Sequence, residues 1–258
     1  MVPRLSATMT RFLHTRLLTF TLLAALTPPA ARAQASGVPG DQAAQASAPD
    51  TALAARELVV VLHGMGRTTY SMRPVETALK AAGYDVLNIG YSSYCCSIAE
   101  LGAALRREID AKRRPEHVTL HFVGHSLGGI LARWVAAQDD RPAGIGRIVM
   151  LTPPNQGARM ADRFTPLVGW LLEPIDELRT DSTATVRKIP PPRGVSVGVV
   201  AARGDDTVDI SETHIYGEAD HVVVDGSHTF VMRREEVHRL VLGFLRDGRF
   251  PLDTRSAR

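Results

Sequence analysis

Cysteine is almost missing from this 258-residue chain: Cys95 and Cys96 stand side by side and no others occur. Without spaced companions they form no metal-ligand cluster, which excludes a cysteine-built zinc site. Three states remain open for the pair: a strained vicinal disulfide, a bridge between chains, or two reduced thiols. They follow Tyr91-Ser92-Ser93-Tyr94, past the end of a predicted strand, where they would border the mouth of a site in a structural or redox role.

Charge of one sign is scarce as well. The formal net charge is +3, but residues 1–33 hold Arg4, Arg11, Arg16 and Arg32 with no acid, and +3 less those four leaves −1 for the rest. That balance excludes a nucleic-acid partner or a standing attraction to an anionic membrane. The local clusters Arg233-Arg234 and Lys112-Arg113-Arg114 read as solvated helix ends.

The N-terminal apolar run, Leu17 to Leu26, is shorter than the ~20 residues a membrane span requires. Its basic start, the following Pro28 and Pro29, and Ala31-Arg32-Ala33 make a secretory signal with cleavage after Ala33. A buried helix is excluded here because nothing nearby would cover it. No cysteine follows the apolar run and no Arg-Arg pair precedes it, which excludes lipoprotein and twin-arginine processing. The expected destination is the periplasm or the extracellular space. Residues 34–55 are rich in Ala, Gln, Ser, Pro and Asp and read as a disordered linker. Residues 56–250 remain as one α/β domain, with a short tail at 251–258; there is no repeat and no second domain.

Within that domain, apolar runs at Leu58–Leu62, Asp85–Ile89, Val118–Gly124, Arg147–Leu151, Ser196–Ala201 and His221–Val224 predict strands. Helical spacing fits Met72–Ala82, Ile98–Lys112, Leu127–Ala137 and Glu235–Arg246. Strands alternating with helices predict a doubly wound, mainly parallel sheet with its ligands beyond the strands' carboxyl ends. Three candidate groups lie at such ends. Val123-Gly124-His125-Ser126-Leu127-Gly128-Gly129 joins a strand to a helix through Gly-x-Ser-x-Gly, a turn that lifts a serine hydroxyl above a sheet. Gly204-Asp205-Asp206-Thr207-Val208 and Gly226-Ser227-His228-Thr229 supply the acid and base, in the order Ser, Asp, His. That is not the order of the chymotrypsin or subtilisin types.

From Glu57 to Phe250 the chain resembles an α/β-hydrolase of the bacterial lipase and esterase type. The carrying segments are Leu62-His63-Gly64-Met65-Gly66-Arg67, Gly124-His125-Ser126-Leu127-Gly128-Gly129, Thr152-Pro153-Pro154-Asn155-Gln156-Gly157 and Ser227-His228-Thr229-Phe230. The first two are shared across a superfamily. The last two resemble a narrower group of secreted triacylglycerol lipases and carboxylesterases. The resemblance implies the α/β-hydrolase fold, here a small form without the first strands often found in it, and a serine-hydrolase reaction class.

Ser126 is then the nucleophile, since a serine hydroxyl needs a neighbouring base, and His228 is that base. Similar enzymes place the acid about three residues before a valine, which selects Asp205 through Val208; Asp206 is the rival and Asp209 the third choice. The same three carboxylates are the groups a structural calcium would use. Backbone amides of Met65 and Leu127 are the expected oxyanion hole. His221 competes with His228 but begins an apolar run instead of following one. His63 would shape the oxyanion loop, His125 would pack beneath the serine turn, and His121 would belong to the core.

The stretch from Pro153 to Gly194 carries Phe164, Leu167, Val168, Trp170, Leu171, Leu172 and Ile175. It reads either as a lid whose apolar face meets an acyl chain or as a helix packed on the sheet edge. The expected protein is a secreted serine esterase or lipase, with an ester or lipid as small-molecule substrate and transient contact with a lipid surface. It calls for no cofactor and no catalytic metal. The alternatives are an acyltransferase or amidase, a cell-envelope lipid deacylase, and a hydrolase-fold binding protein without turnover.

Overall fold

A computed structural model describes residues 56–169 and 173–251. The predicted signal segment, the linker, most of the C-terminal tail, and Trp170, Leu171 and Leu172 lie outside the described residues. Six strands form one sheet: β1 (Arg56–Leu62), β2 (Asp85–Ile89), β3 (His117–His125), β4 (Ile145–Leu151), β5 (Ser196–Ala202) and β6 (Asp220–Val224). The spatial order is β2-β1-β3-β4-β5-β6, and every neighbouring pair is parallel.

A parallel sheet is covered on both faces, so its strands read as continuous apolar runs instead of alternating ones. Val59, Val60, Val61 and Leu62 are all fully buried. Residues of one parity in β1 (Leu58, Val60, Leu62) join a core with α2 (Ile98–Lys112) and α3 (Leu127–Ala137). The other parity (Val59, Val61) packs with α1 (Arg73–Ala81) and with α7 (Glu235–Asp247), the last helix. The helices α4 (Arg159–Val168), α5 (Glu173–Glu177) and α6 (Thr185–Lys188) lie between β4 and β5. This is the α/β-hydrolase fold, and among the described residues no strand precedes β1.

Local signals explain the element boundaries. Ser97 opens α2 with a reciprocal cap: its hydroxyl accepts from the Glu100 amide, while the Glu100 carboxylate accepts from the Ser97 amide. Gly248, in the left-handed region at φ 73°, stops α7. The chain runs from β1 outward to β2, then returns to the other side of β1 as β3. Crossover direction therefore reverses between β1 and β3, and the crevice beyond their carboxyl ends is the natural ligand site of such a sheet.

Candidate active site

The turn that follows β3 is built on a strained residue. Ser126 has φ 52° and ψ −122°, a backbone state that side-chain-bearing residues rarely adopt. Holding it there costs on the order of 1–3 kcal/mol, offset by the Ser126 amide donating to Leu151 O at 2.9 Å and by the apolar burial of α3. The two motif glycines allow the turn to close. A Cβ on Gly124 would lie 2.4 Å from the Gly128 backbone, and one on Gly128 would lie 2.6 Å from the carbonyl oxygens of Leu62 and His63.

Ser126 Oγ lies 3.0 Å from His228 Nε2, and His228 Nδ1 lies 2.7 Å from Asp205 Oδ2. A carboxylate accepts, so Nδ1 carries the ring proton and Nε2 turns its lone pair to the serine. Asp205 is itself fixed: its Oδ1 accepts from the Thr207 and Val208 amides, both at 2.8 Å. The three-residue spacing to Val208 that selects Asp205 in the sequence is thus a hydrogen bond. Its side chain is 1% exposed, whereas Asp206 is exposed and bonds only the Thr207 hydroxyl. Asp209 caps the short turn Ile210–Glu212 and pairs with Arg159 at 3.0 Å.

The loop after β1 reaches this turn from the other side of the crevice. A Cβ on Gly64 would meet His125 Nδ1 at 2.7 Å and Ser126 Cβ at 3.2 Å, so Met65 sits beside Ser126. The Leu127 amide is the first of α3, where the helix offers no carbonyl one turn back. Residues distant in the sequence hold this loop. The Tyr91 hydroxyl donates to His63 O, the Gly66 amide donates to Ser93 Oγ at 2.9 Å, and His63 stacks on Tyr91 with ring centroids 4.1 Å apart. Tyr91 and Ser93 stand 28 and 27 residues away from these partners, so no local pattern signals the contact. Burial raises the Tyr91 phenol well above its usual pKa and keeps it a donor.

The other histidines are elsewhere. His63 donates from Nδ1 to Gly64 O and accepts the Tyr91 amide on Nε2, within the loop after β1; burial lowers its pKa. His125 lies fully beneath the turn and donates from Nε2 to His228 O at 2.8 Å. Burial, reinforced by the neighbouring His228, lowers its pKa to about 3. His121 is fully buried in β3 with its pKa lowered by burial to about 4. His221 is not at the serine; its Nε2 bonds Thr213 Oγ1 at 2.8 Å.

A family model described as the alpha/beta hydrolase family matches residues 59–210. The chain belongs to that family. No curated protein sequence matches it. Solved structures share the alpha/beta hydrolase fold at low identity. The mature Bacillus licheniformis lipase BlEst2 is 13% identical with a TM-score of 0.60, covering 74% of this chain and 91% of that one. The lin2722 product of Listeria innocua is 14% identical at TM-score 0.57, covering 78% and 97%. Est1E from Butyrivibrio proteoclasticus is 15% identical at TM-score 0.55, covering 75% and 88%.

In this alpha/beta hydrolase, Ser126 and His228 open into a cavity of about 280 Å³. Met65, Gly66 and Arg67 form one wall; Met160, Ala161, Ile175 and Leu178, from the segment between β4 and β5, form another. Part of the stretch read as lid or edge helix therefore walls the crevice, while Phe164 and Leu167 of α4 face outward. The Arg67 guanidinium crosses the mouth to donate to Thr229 Oγ1 at 3.0 Å. A wider depression, about 520 Å³, lies at the opposite end of the strands around Arg56, Asp85 and His117 and touches none of these groups.

Behind the crevice the buried Arg133 binds the Asn155 carbonyl and side-chain oxygens and Ile189 O. It anchors the Pro153-Pro154-Asn155 loop, and burial lowers its pKa to about 10. Cys95 and Cys96 are bonded to each other, the first of the three open states. They do not line the cavity; their loop touches its wall at Gly66, through Ser93 Oγ and the Tyr94 hydroxyl. Among the described residues the only trio of ligating side chains with donor atoms mutually within 4.8 Å is His214, Glu218 and His221. Asp205, Asp206 and Asp209 therefore do not converge on a calcium.

Proposed function

We propose that this protein is an exported serine hydrolase that cleaves carboxylic esters through an acyl-enzyme. One observation carries the reading: the hydrogen-bonded chain from Ser126 Oγ through the His228 ring to the buried Asp205 carboxylate, opening on an apolar-walled cavity. His228 Nε2 takes the Ser126 proton as the oxygen attacks the ester carbonyl, and Asp205 stabilises the imidazolium that results. The Met65 and Leu127 amides receive the developing oxyanion, each contributing ~10²–10³ in rate because they act on charge present only in the transition state. His228 then protonates the departing alcohol and later deprotonates the water that releases the acid.

A cavity of about 280 Å³ stands at the lower edge of the ~300–1,000 Å³ usual for small-molecule sites. It fits a short or medium acyl chain better than a long one, which favours esterase over triacylglycerol lipase. Export rests on the basic, apolar and Ala-x-Ala parts of residues 1–33.

The test is covalent trapping with diethyl p-nitrophenyl phosphate. One diethylphosphoryl group on the peptide bearing Ser126, with activity lost in proportion, is the expected result. A label on another residue, or full activity after labelling, would reject the mechanism.

A further inference from the structure

We propose that His214, Glu218 and His221 form a binding site for a borderline divalent cation of the zinc type, separate from the serine crevice. Two imidazoles and one carboxylate are the donor set such a cation selects. The spacing His-x3-Glu-x2-His folds across the turn between β5 and β6, and each residue brings one donor atom within 4.8 Å of the other two.

The surrounding bonds prepare these side chains. Thr213 Oγ1 donates to Ile210 O at 2.7 Å, so at the 2.8 Å contact with His221 it accepts, and the proton there belongs to His221 Nε2. That tautomer leaves His221 Nδ1 with a bare lone pair, and a ring held through its other nitrogen is how metal-ligating histidines are oriented. Glu218 Oε2 accepts the Ile215 amide at 3.0 Å, which orients the carboxylate. Its Oε1 meets His214 Nδ1 at 2.6 Å. The hydrogen that these two atoms share is what a cation would replace, His214 keeping its proton on Nε2 instead.

Donor atoms around a tetrahedral zinc at 2.0–2.1 Å sit about 3.3 Å apart, so His214 Nδ1 and Glu218 Oε1, now at 2.6 Å, must open, while the His221 donor, within 4.8 Å of both, draws in. The two imidazoles, now stacked with centroids 3.9 Å apart, must also part. His214, its side chain 50% exposed, has room to turn its ring for both adjustments. A water would complete the coordination.

The site's position defines its role. None of the three residues lines the serine cavity. Their segment is tied instead to the cavity's rear wall: Gln156 Nε2 donates to His214 O, Asn155 Nδ2 donates to Thr213 O, and the Gln156 amide donates to Glu212 O. A bound cation would clip the strap between Asp205 and β6 and stiffen the Pro153–Gly157 loop against it. It is a structural site, whatever reaction Ser126 performs.

The experiment is zinc titration of the untagged, EDTA-treated full chain by calorimetry and thermal unfolding. One equivalent should bind, and zinc at 100 times its dissociation constant should raise Tm by about 5–10 °C. His214→Ala, a surface change that leaves the fold intact, and Glu218→Gln should each remove both effects. Ester hydrolysis followed in parallel separates this site from zinc captured at His228, which would inhibit. Absence of binding by the wild-type chain, or binding that survives undiminished in both variants, overturns the proposal.

Discussion

Replacing Asp205 by Asn isolates the contribution of one proton's position. Asn has nearly the shape of Asp, and its side-chain oxygen still accepts the Thr207 and Val208 amides that Asp205 Oδ1 now accepts at 2.8 Å. That fixes the amide NH₂ toward His228 Nδ1, where Oδ2 stands at 2.7 Å. An NH₂ donates, so Nδ1 must become the acceptor and the ring proton must move to Nε2. Nε2 then points a hydrogen at Ser126 Oγ, 3.0 Å away, and cannot remove the serine proton. An inverted tautomer of this kind costs about 10⁴ in kcat, equivalent to about 5.4 kcal/mol of transition-state stabilisation. Stability changes far less, by about 1–2 kcal/mol for the lost charge-assisted bond. The assay is kcat on a soluble p-nitrophenyl ester alongside thermal unfolding, with Asp206→Asn as the control expected within about twofold of wild type. Activity within tenfold of wild type in a folded Asp205→Asn protein would refute the reasoning, as would an equal loss in Asp206→Asn.

Gly128→Ala would set a Cβ 2.6 Å from the Leu62 and His63 carbonyls, displacing the oxyanion loop. Folded protein should lose ~10²–10³ in kcat and about 1–3 kcal/mol of stability; unchanged kcat would contradict the loop's role. Met160→Trp should fill the cavity beside Ser126 and shift the acyl optimum to shorter chains, read from an ester series. Acid should destabilise the fold through two buried histidines, His125 with its pKa at about 3 and His121 at about 4, both lowered by burial. The folded values lie below the unfolded ~6.5, so this stability is complete above pH 6.5 and falls as pH drops toward 4. Each histidine contributes a slope of up to about 1.4 kcal/mol per pH unit. Urea unfolding between pH 7 and 5 should show the slope, and His121→Gln should reduce it by about one proton.

The sheet was legible because its strands are buried on both faces: Leu58 to Leu62 has no polar residue to interrupt it, and β1 begins only two residues earlier. Ser126 was legible because a strand, a Gly-x-Ser-x-Gly turn and a helix constrain one another locally. Asp205 was legible because its partner Val208 lies within the same turn. The segment between β4 and β5 was not. α4 carries an internal Pro166 and leaves Phe164 and Leu167 in solvent, so its apolar residues do not report which side faces the crevice. Trp170 and Leu171, candidates either for acyl-chain contact or for packing on the sheet edge, fall outside the described residues. The clamp on the loop after β1 by Tyr91 and Ser93, and the seat of Arg133 against Asn155 and Ile189, join residues 22 to 56 positions apart. The first contacts exist only once β1 and β2 are paired, and the second only once α3 is packed against the segment between β4 and β5. His221, weighed against His228 as the base, instead pairs with His214 around Glu218, because β6 begins at Asp220 and carries its ring away from Ser126.

The most direct test of the account is hydrolysis of p-nitrophenyl esters from acetate to palmitate by the protein and by its Ser126→Ala variant. Turnover with an optimum among the short or medium chains, abolished in the variant while its unfolding temperature is unchanged, is the predicted result. Equal rates in the two proteins, or no turnover by a folded wild-type chain on any ester, would contradict it.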